Sequence, residues 1–128
     1  MLVTNGFLID ETMAEKIAHS GLDVASISLD SLDANIHDFL RGQRGAHQRV
    51  MQAIGYLDKF GAKSVSILTV IMGPNIDSLI GLAEWINGNY RLSSIYFKLY
   101  HNLFLRLRIV DSIKKKNSVI FGPKMKLT

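Results

Sequence analysis

Polar side chains of this chain stand where short apolar runs end, and two of them alternate. Ser28 and Asp30 close the run that begins at Val24. Because successive side chains of a strand point to opposite faces, a hydroxyl at position 28 and a carboxylate at position 30 could face the same side. Together they could hold a diol or an ammonium group. The alternative is that Asp30 or Ser31 caps the helix that follows.

Arg41 is the cation whose position suggests chemistry. It follows the apolar residues Phe39 and Leu40 on a predicted short helix and precedes Gly42. A guanidinium presents a planar fork of N–H donors that matches a carboxylate, so Arg41 could bind an acid group. The alternatives are a surface arginine and an ion-pair partner for Asp38.

The sequence lacks the residues that several kinds of catalytic chemistry require. The sequence has no cysteine, which excludes thiolate nucleophiles, disulfides and cysteine-bound iron–sulfur clusters for this chain by itself. Its four histidines show no metal-binding spacing, so no metal ligands are predicted. The glycines of the 42–45 loop lack the lysine of a phosphate-binding loop. The lysine or paired carboxylates of a metal-free barrel lyase are also missing from the predicted strand ends.

The elements that must position these side chains alternate between short apolar strands and amphipathic helices. The predicted strands cover residues 2–3, 24–29, 64–71 and 95–99, and the predicted helices cover about 11–20, a stretch around Ile36, a stretch from Val50 to Leu57, and 76–86. Thr12 with Glu15 is typical of a capping box at the first helix, and Asn75 or Asp77 could cap the last. This order predicts an α/β fold in which right-handed crossovers build a parallel sheet.

The chain length narrows this fold class. At 128 residues, the chain is shorter than the roughly 200 residues of a closed eight-stranded barrel. We therefore predict a partial parallel (β/α) barrel, TIM-barrel-like, with about three to four strand–helix units over residues 1–100. In such sheets, ligands bind beyond the carboxyl ends of the strands. That rule selects Thr4, Asn5, Ser28, Asp30 and the segment from Thr69 to Asn75.

Residues 101–128 form a basic tail that includes the lysine run 114–116. A helix from about Leu107 to Lys116 is predicted there, with the lysines stabilising its negative end. Because no aromatic residues interleave with them to stack on bases, nucleic-acid binding is not predicted. No apolar run approaches the roughly 18 residues that span a bilayer, and no secretion signal is seen. A cytoplasmic protein without membrane contact is expected.

Three sequence pieces resemble a known family when they are read together. They are Leu-Val-Thr-Asn-Gly at the start, Ile-Ser-Leu-Asp-Ser-Leu-Asp from Ile27, and Ile-His-Asp-Phe-Leu-Arg-Gly over residues 36–42. In this order and spacing they are similar to the radical S-adenosylmethionine (radical SAM) enzymes, in particular to the branch with peptide-modifying and cofactor-maturation members. The resemblance covers about residues 2–87.

The resemblance implies a partial (β/α)6 barrel that holds a 4Fe–4S cluster and S-adenosylmethionine, whose cleavage gives a 5′-deoxyadenosyl radical. Carried over by position, Ser28 matches the serine at the end of the family's fourth strand, and Arg41 matches the arginine that meets the methionyl carboxylate. Thr4 and Asn5 match a turn that faces the cofactor. The fifth strand lines the adenine in the family, and it corresponds to Thr69 and Val70 with the loop to Asn75.

Two family features are missing from the sequence, and they shape the functional prediction. The chain has neither the CxxxCxxC loop that holds the cluster nor a GGEP-like turn. We therefore expect a radical SAM core fragment that binds S-adenosylmethionine at most weakly and is inactive without the missing N-terminal part. The alternative is a stand-alone α/β ligand-binding or scaffold protein, so enzyme status stays open. Expected partners are the missing part, a second copy meeting the exposed edge at Leu2 and Val3, and a peptide or small-molecule substrate.

Overall fold

The computed structural model describes residues 1–99 and 125–127. Its elements are β1 (Leu2–Thr4), α1 (Glu11–His19), β2 (Ala25–Ser28), α2 (Ala34–Arg41), α3 (Ala46–Lys59), β3 (Val65–Ile71), a 3-10 helix (Gly73–Ser78), α4 (Leu79–Gly88), β4 (Ser94–Leu99) and β5 (Met125–Leu127). The helix predicted over residues 107–116 lies outside the described residues. Within the described ranges, no helix is both long and apolar enough to cross a membrane.

The strands form one parallel sheet in the order β1-β2-β3-β4-β5. Each strand pairs in parallel with the next strand along the sheet, so all carboxyl ends lie at the same edge. Since parallel neighbours need a crossover connection, the helices between consecutive strands belong to strand–helix units. The predicted α/β architecture with a parallel sheet is therefore confirmed, and a fifth strand adds to the four that the sequence predicted.

One face of the sheet packs against the helices. This face carries alternate strand residues, which join the apolar stripes of α3 and α4 in a single core: Ala25, Ile27, Val65, Ile67, Ile71, Ile95, Phe97, Val50, Ile54, Leu57, Leu82 and Ile86. The opposite face carries small polar residues at the positions between them, among them Ser26, Ser28 and Ser66. Val3, Leu68 and Val70 occupy positions on the same face, so it combines serine hydroxyls with apolar side chains.

The first helix begins differently from the prediction. Asp10, and not Thr12, is the N-cap of α1, because Asp10 Oδ1 accepts a hydrogen bond from Met13 N at 2.8 Å. The prediction of a Thr12–Glu15 capping box is therefore wrong. A carboxylate one residue before the helix satisfies a free backbone N–H just as a threonine hydroxyl would.

The fourth helix also begins later than predicted. Residues 73–78 form a 3-10 helix, and α4 itself starts at Leu79 without a side-chain cap. Asn75 therefore does not cap α4. Its Oδ1 accepts from Met72 N at the start of the 3-10 helix, and its Nδ2 donates to the ends of β2 and β3. Asp77 is exposed within the 3-10 helix.

The turn after β1 depends on Gly6. Its φ of +74° lies in the left-handed region, and a Cβ built there would lie 3.2 Å from Cγ2 of Ile27. The same Cβ would lie 3.5 Å from Cγ2 of Val50 on α3. The Thr-Asn-Gly turn therefore packs directly on β2 and α3, which explains why glycine ends it.

Candidate functional site

The centre of the candidate site is Asp30, which follows β2 at the carboxyl edge of the sheet. Its side chain is 1% exposed. Asp30 Oδ1 accepts a hydrogen bond from Val70 N at 3.0 Å, and its backbone oxygen accepts one from Asn75 Nδ2 at 2.8 Å. The residue thus joins the ends of β2 and β3 and the start of the 3-10 helix. A buried carboxylate is stable only when it is paired and hydrogen-bonded, and both conditions hold here.

Arg41, at the end of α2, supplies the charge that pairs with this carboxylate. Its Nε lies 2.8 Å from Asp30 Oδ2, and the arginine side chain is 25% exposed. Nε and Nη2 are both buried, yet neither has a well-directed hydrogen-bond acceptor in the described part of the chain. The contact with Asp30 is therefore an ion pair in which the Nε–H bond does not point at the carboxylate oxygen. The guanidinium keeps buried N–H donors to which another acceptor could bind.

His37 lies one helical turn before Arg41 and is fully buried. Its Nδ1 accepts a hydrogen bond from Asp30 N at 3.1 Å, so the ring is neutral with the proton on Nε2. Nε2 is buried without a partner among the described residues. Burial is the largest influence and lowers the pKa of His37 below its usual 6.5; Asp30 opposes this shift, and the charge of Arg41 adds to it.

Asp38 holds the loop that follows Arg41. Its Oδ2 accepts from Gly45 N at 2.7 Å and its Oδ1 accepts from His47 N at 2.8 Å, which caps α3. These two backbone hydrogen bonds lower the pKa of Asp38. Asp38 is thus engaged with α3, and the ion pair of Arg41 goes to Asp30 rather than to Asp38.

The predicted residues of β3 and its following turn are buried in the same network. Thr69 Oγ1 donates a hydrogen bond to Leu29 O at 2.7 Å. Asn75 Nδ2 donates to Val70 O at 2.9 Å as well as to Asp30 O, and Asn75 Oδ1 accepts from Met72 N at 2.8 Å. Both side chains are fully buried. The polar groups of both side chains therefore hold the strand ends together.

The remaining predicted residues lie at the same edge but are not part of this network. Thr4 Oγ1 accepts from Gly6 N at 3.1 Å, and Asn5 Oδ1 accepts from Phe7 N at 3.0 Å, so both shape the turn after β1. Thr4 pairs in register with Ile27, next to Ser28. Ser28 is 8% exposed at the end of β2, on the sheet face opposite the core. No hydrogen bond in the described ranges joins these three side chains to Asp30 or Arg41.

Sequence reasoning did not assign His37 to the site. The signal that could have found it is its spacing, because residues four apart on a helix share a face, and Arg41 is four residues after His37. Its partner, the backbone N–H of Asp30, could not be read from the sequence.

The residues of this chain do not fit an iron–sulfur cluster. The whole chain has no cysteine. In the described ranges, no group of three or more histidine, aspartate or glutamate side chains is placed to hold a metal ion. The cluster ligands of the family are thus absent from this chain.

A family model described as the radical SAM superfamily matches residues 1–86. The chain belongs to the radical SAM superfamily. This confirms the resemblance read from the Thr-Asn-Gly, Ser-Leu-Asp and His-Asp-Phe-Leu-Arg-Gly pieces. Within radical SAM proteins, S-adenosylmethionine and a 4Fe–4S cluster are the shared cofactors.

Curated relatives of this radical SAM chain are longer proteins. An AdoMet-dependent heme synthase of Nitratidesulfovibrio vulgaris is 39% identical over 74 residues, which cover 58% of this chain and 20% of the relative. A probable GTP 3′,8-cyclase of Methanocella arvoryzae is 27% identical over 90% of this chain and 38% of its own length. A mycofactocin maturase of Mycolicibacterium smegmatis is 33% identical over 59% of this chain and 19% of the relative. The chain spans between about a fifth and two fifths of these proteins.

Solved structures show the same fold. SuiB of Streptococcus suis bound to its precursor peptide SuiA matches with a TM-score of 0.69 at 18% identity, covering 98% of this chain and 31% of SuiB. SuiB bound to S-adenosylmethionine matches with a TM-score of 0.65 at 20% identity, covering 98% of this chain and 30% of SuiB. The partial, TIM-barrel-like fold predicted from the sequence is therefore confirmed.

Proposed function

We propose that this chain supplies the S-adenosylmethionine-binding part of a radical SAM enzyme, with the cofactor at the carboxyl edge of the sheet. The observation that carries the proposal is Arg41, a guanidinium anchored by Asp30 that still has buried donors without a directed acceptor. A carboxylate is the group that such a fork binds best. The methionyl end of S-adenosylmethionine carries one.

The other predicted residues suit the remaining parts of the cofactor. Ser28 carries its hydroxyl on the sheet face opposite the core, and we assign it to the cofactor's sugar and amino-acid portion, near the turn of Thr4 and Asn5. The segment from Thr69 to Asn75 is assigned to the adenine, through its backbone, because its polar side chains are engaged. When bound, S-adenosylmethionine supplies the radical that abstracts hydrogen from a substrate.

The cluster must come from elsewhere, since this chain has no thiolate to bind iron. We propose that the chain is inactive alone and depends on a cysteine-bearing segment, supplied in the same or another polypeptide. The same lack of cysteine favours the second candidate, a stand-alone α/β ligand-binding protein that uses this edge without radical chemistry. The two differ in one respect: only the first gains turnover when a cluster-bearing segment is added.

The substrate class is proposed from the relatives. One of them is a mycofactocin maturase, and SuiB is seen with a precursor peptide. We therefore propose a peptide substrate, with a small molecule as the other class, because the heme synthase and GTP cyclase relatives are named for small molecules. A cytoplasmic location stays a prediction.

Titration calorimetry with S-adenosylmethionine tests the proposal. The test variant is Arg41→Lys, which keeps the charge that Asp30 needs and removes the guanidinium fork. The matched control is Arg44→Lys in the following loop, where the arginine is exposed. We expect Arg41→Lys to weaken binding by about tenfold and Arg44→Lys to change it by less than about twofold. No binding by the unmodified chain, or equal effects of the two variants, would contradict the proposal.

A further inference from the structure

The ion pair of Asp30 and Arg41 is unequal, because one partner is fixed and the other is not. Asp30 is 1% exposed and is held through its carboxylate by Val70 N and through its backbone by His37 and Asn75. Arg41 is 25% exposed at the last residue of α2, and Asp30 is its only ion-pair partner within the described ranges. The carboxylate is thus the anchor, and the guanidinium takes its position from it.

The anchor leaves part of the guanidinium available. Asp30 Oδ2 approaches the Nε side at 2.8 Å, while Nη2 is buried without an acceptor in the described part of the chain. A free arginine side chain loses rotamer entropy when a ligand fixes it. An arginine that is already held loses less, so its remaining donors bind an acid group more tightly.

The charges of the ligand also favour an arginine that is paired with Asp30. S-adenosylmethionine carries a sulfonium, an ammonium and a carboxylate, so it has an excess of positive charge. An unpaired arginine at the site would repel the sulfonium and ammonium while it attracts the carboxylate. The Asp30 carboxylate neutralises the arginine, so that only the local, directed contact with the ligand carboxylate remains. Asp30 also repels that carboxylate, but its own charge is already matched by Nε of Arg41.

From these contacts we infer that Asp30 is a positioning residue: it does not touch the cofactor, and it aims Arg41 at the carboxylate of an amino-acid-bearing ligand. This inference rests on the proposed function. It replaces the earlier expectation that Asp30 and Ser28 together hold a diol or an ammonium group, because both Asp30 oxygens face protein groups.

The test compares three ligands on one variant, Asp30→Asn. Asparagine keeps an oxygen for Val70 N and removes the charge that holds Arg41. S-adenosylmethionine and S-adenosylhomocysteine both have the carboxylate, but only the former has the sulfonium. Methylthioadenosine lacks both, and so it reports on the nucleoside contacts alone. The matched control is Asp77→Asn, an exposed aspartate on the 3-10 helix.

We expect Asp30→Asn to weaken S-adenosylhomocysteine by about tenfold, the size of one charge-assisted hydrogen bond, and to leave methylthioadenosine within about twofold. S-adenosylmethionine should lose more than about tenfold, because its sulfonium then meets an arginine that Asp30 no longer neutralises. Asp77→Asn should change none of the three. In the double variant with Arg41→Lys, the loss should not exceed that of Arg41→Lys alone, because both act through one group.

Three results would overturn the positioning role. They are unchanged or tighter binding of S-adenosylhomocysteine, an equal loss for methylthioadenosine, and additive losses in the double variant. An equal loss for all three ligands, with a lower melting temperature, would identify Asp30 as a purely structural residue. If the unmodified chain binds none of the ligands, the proposed function fails instead, so the two failures are distinguishable.

Discussion

Asn75→Ala removes a buried side chain that clamps three backbone groups, and its cost can be worked from the contacts. Asn75 Nδ2 donates to Asp30 O at 2.8 Å and to Val70 O at 2.9 Å, while Oδ1 accepts from Met72 N at 2.8 Å. Each of these hydrogen bonds contributes about 1 kcal/mol net, and the one to Asp30 O is fully buried while the other two are partly buried. We expect the free energy of unfolding to fall by about 3 kcal/mol.

Urea denaturation followed by circular dichroism measures this loss. A domain of this size has about 5–15 kcal/mol of stability, so the transition midpoint should move clearly while the slope stays constant. The matched control is Asn35→Ala on α2, where the asparagine is exposed, and it should change the stability by less than about 0.5 kcal/mol. If Asn75→Ala costs no more than Asn35→Ala, the clamp at the strand ends does not exist as described.

Three further predictions concern pH, packing and assembly. Burial keeps the pKa of His37 below 6.5, so the unfolded state takes up a proton first and stability should fall as pH drops from 6.5 towards the folded pKa. In His37→Asn that loss between pH 7 and 5 should shrink in denaturation curves, and an unchanged pH dependence would exclude His37 as its source. Gly6→Ala should lower the free energy of unfolding by about 2–3 kcal/mol. Gly21→Ala should lower it by about 1 kcal/mol, because Gly21 also has a positive φ but has open space around it. Equal melting temperatures of the two variants would refute the close contact at Gly6. The chain should elute larger than a compact monomer in light-scattering chromatography, and Val3→Lys at the β1 edge should reduce that size; a monomer before the substitution contradicts edge association.

The first four strands and the order of elements around them could be predicted because their signals are local. Each of these four is a short β-branched or apolar run, and a turn follows the run; the Gly73-Pro74 break after β3 is an example. The strand β5 has no such signal and was not predicted. The cap of the first helix was predicted wrongly, because Thr12 was chosen and the structure uses Asp10.

The position of the candidate site could be predicted from the sequence, but most of the contacts within it could not. The carboxyl-edge rule selected Asp30 and Asn75, and the structure places both beside the strand ends; their contact with a cofactor stays a prediction. Their partners lie far along the chain: Asp30 meets Val70 across 40 residues, and Asn75 meets Asp30 across 45. Such contacts depend on strand register, which a single sequence does not encode locally. The ion-pair partner of Arg41 could not be predicted for the same reason. Asp38 accepts hydrogen bonds from the start of α3, and Arg41 pairs with Asp30.

The central claim is that the guanidinium of Arg41 receives a ligand carboxylate at the carboxyl edge of the sheet. A crystal structure of this chain with S-adenosylmethionine tests it most directly. The account predicts the methionyl carboxylate within about 3 Å of Arg41 Nη2, with the Arg41 Nε contact to Asp30 retained. A cofactor bound elsewhere, or bound here with its carboxylate turned away from Arg41, would contradict the account.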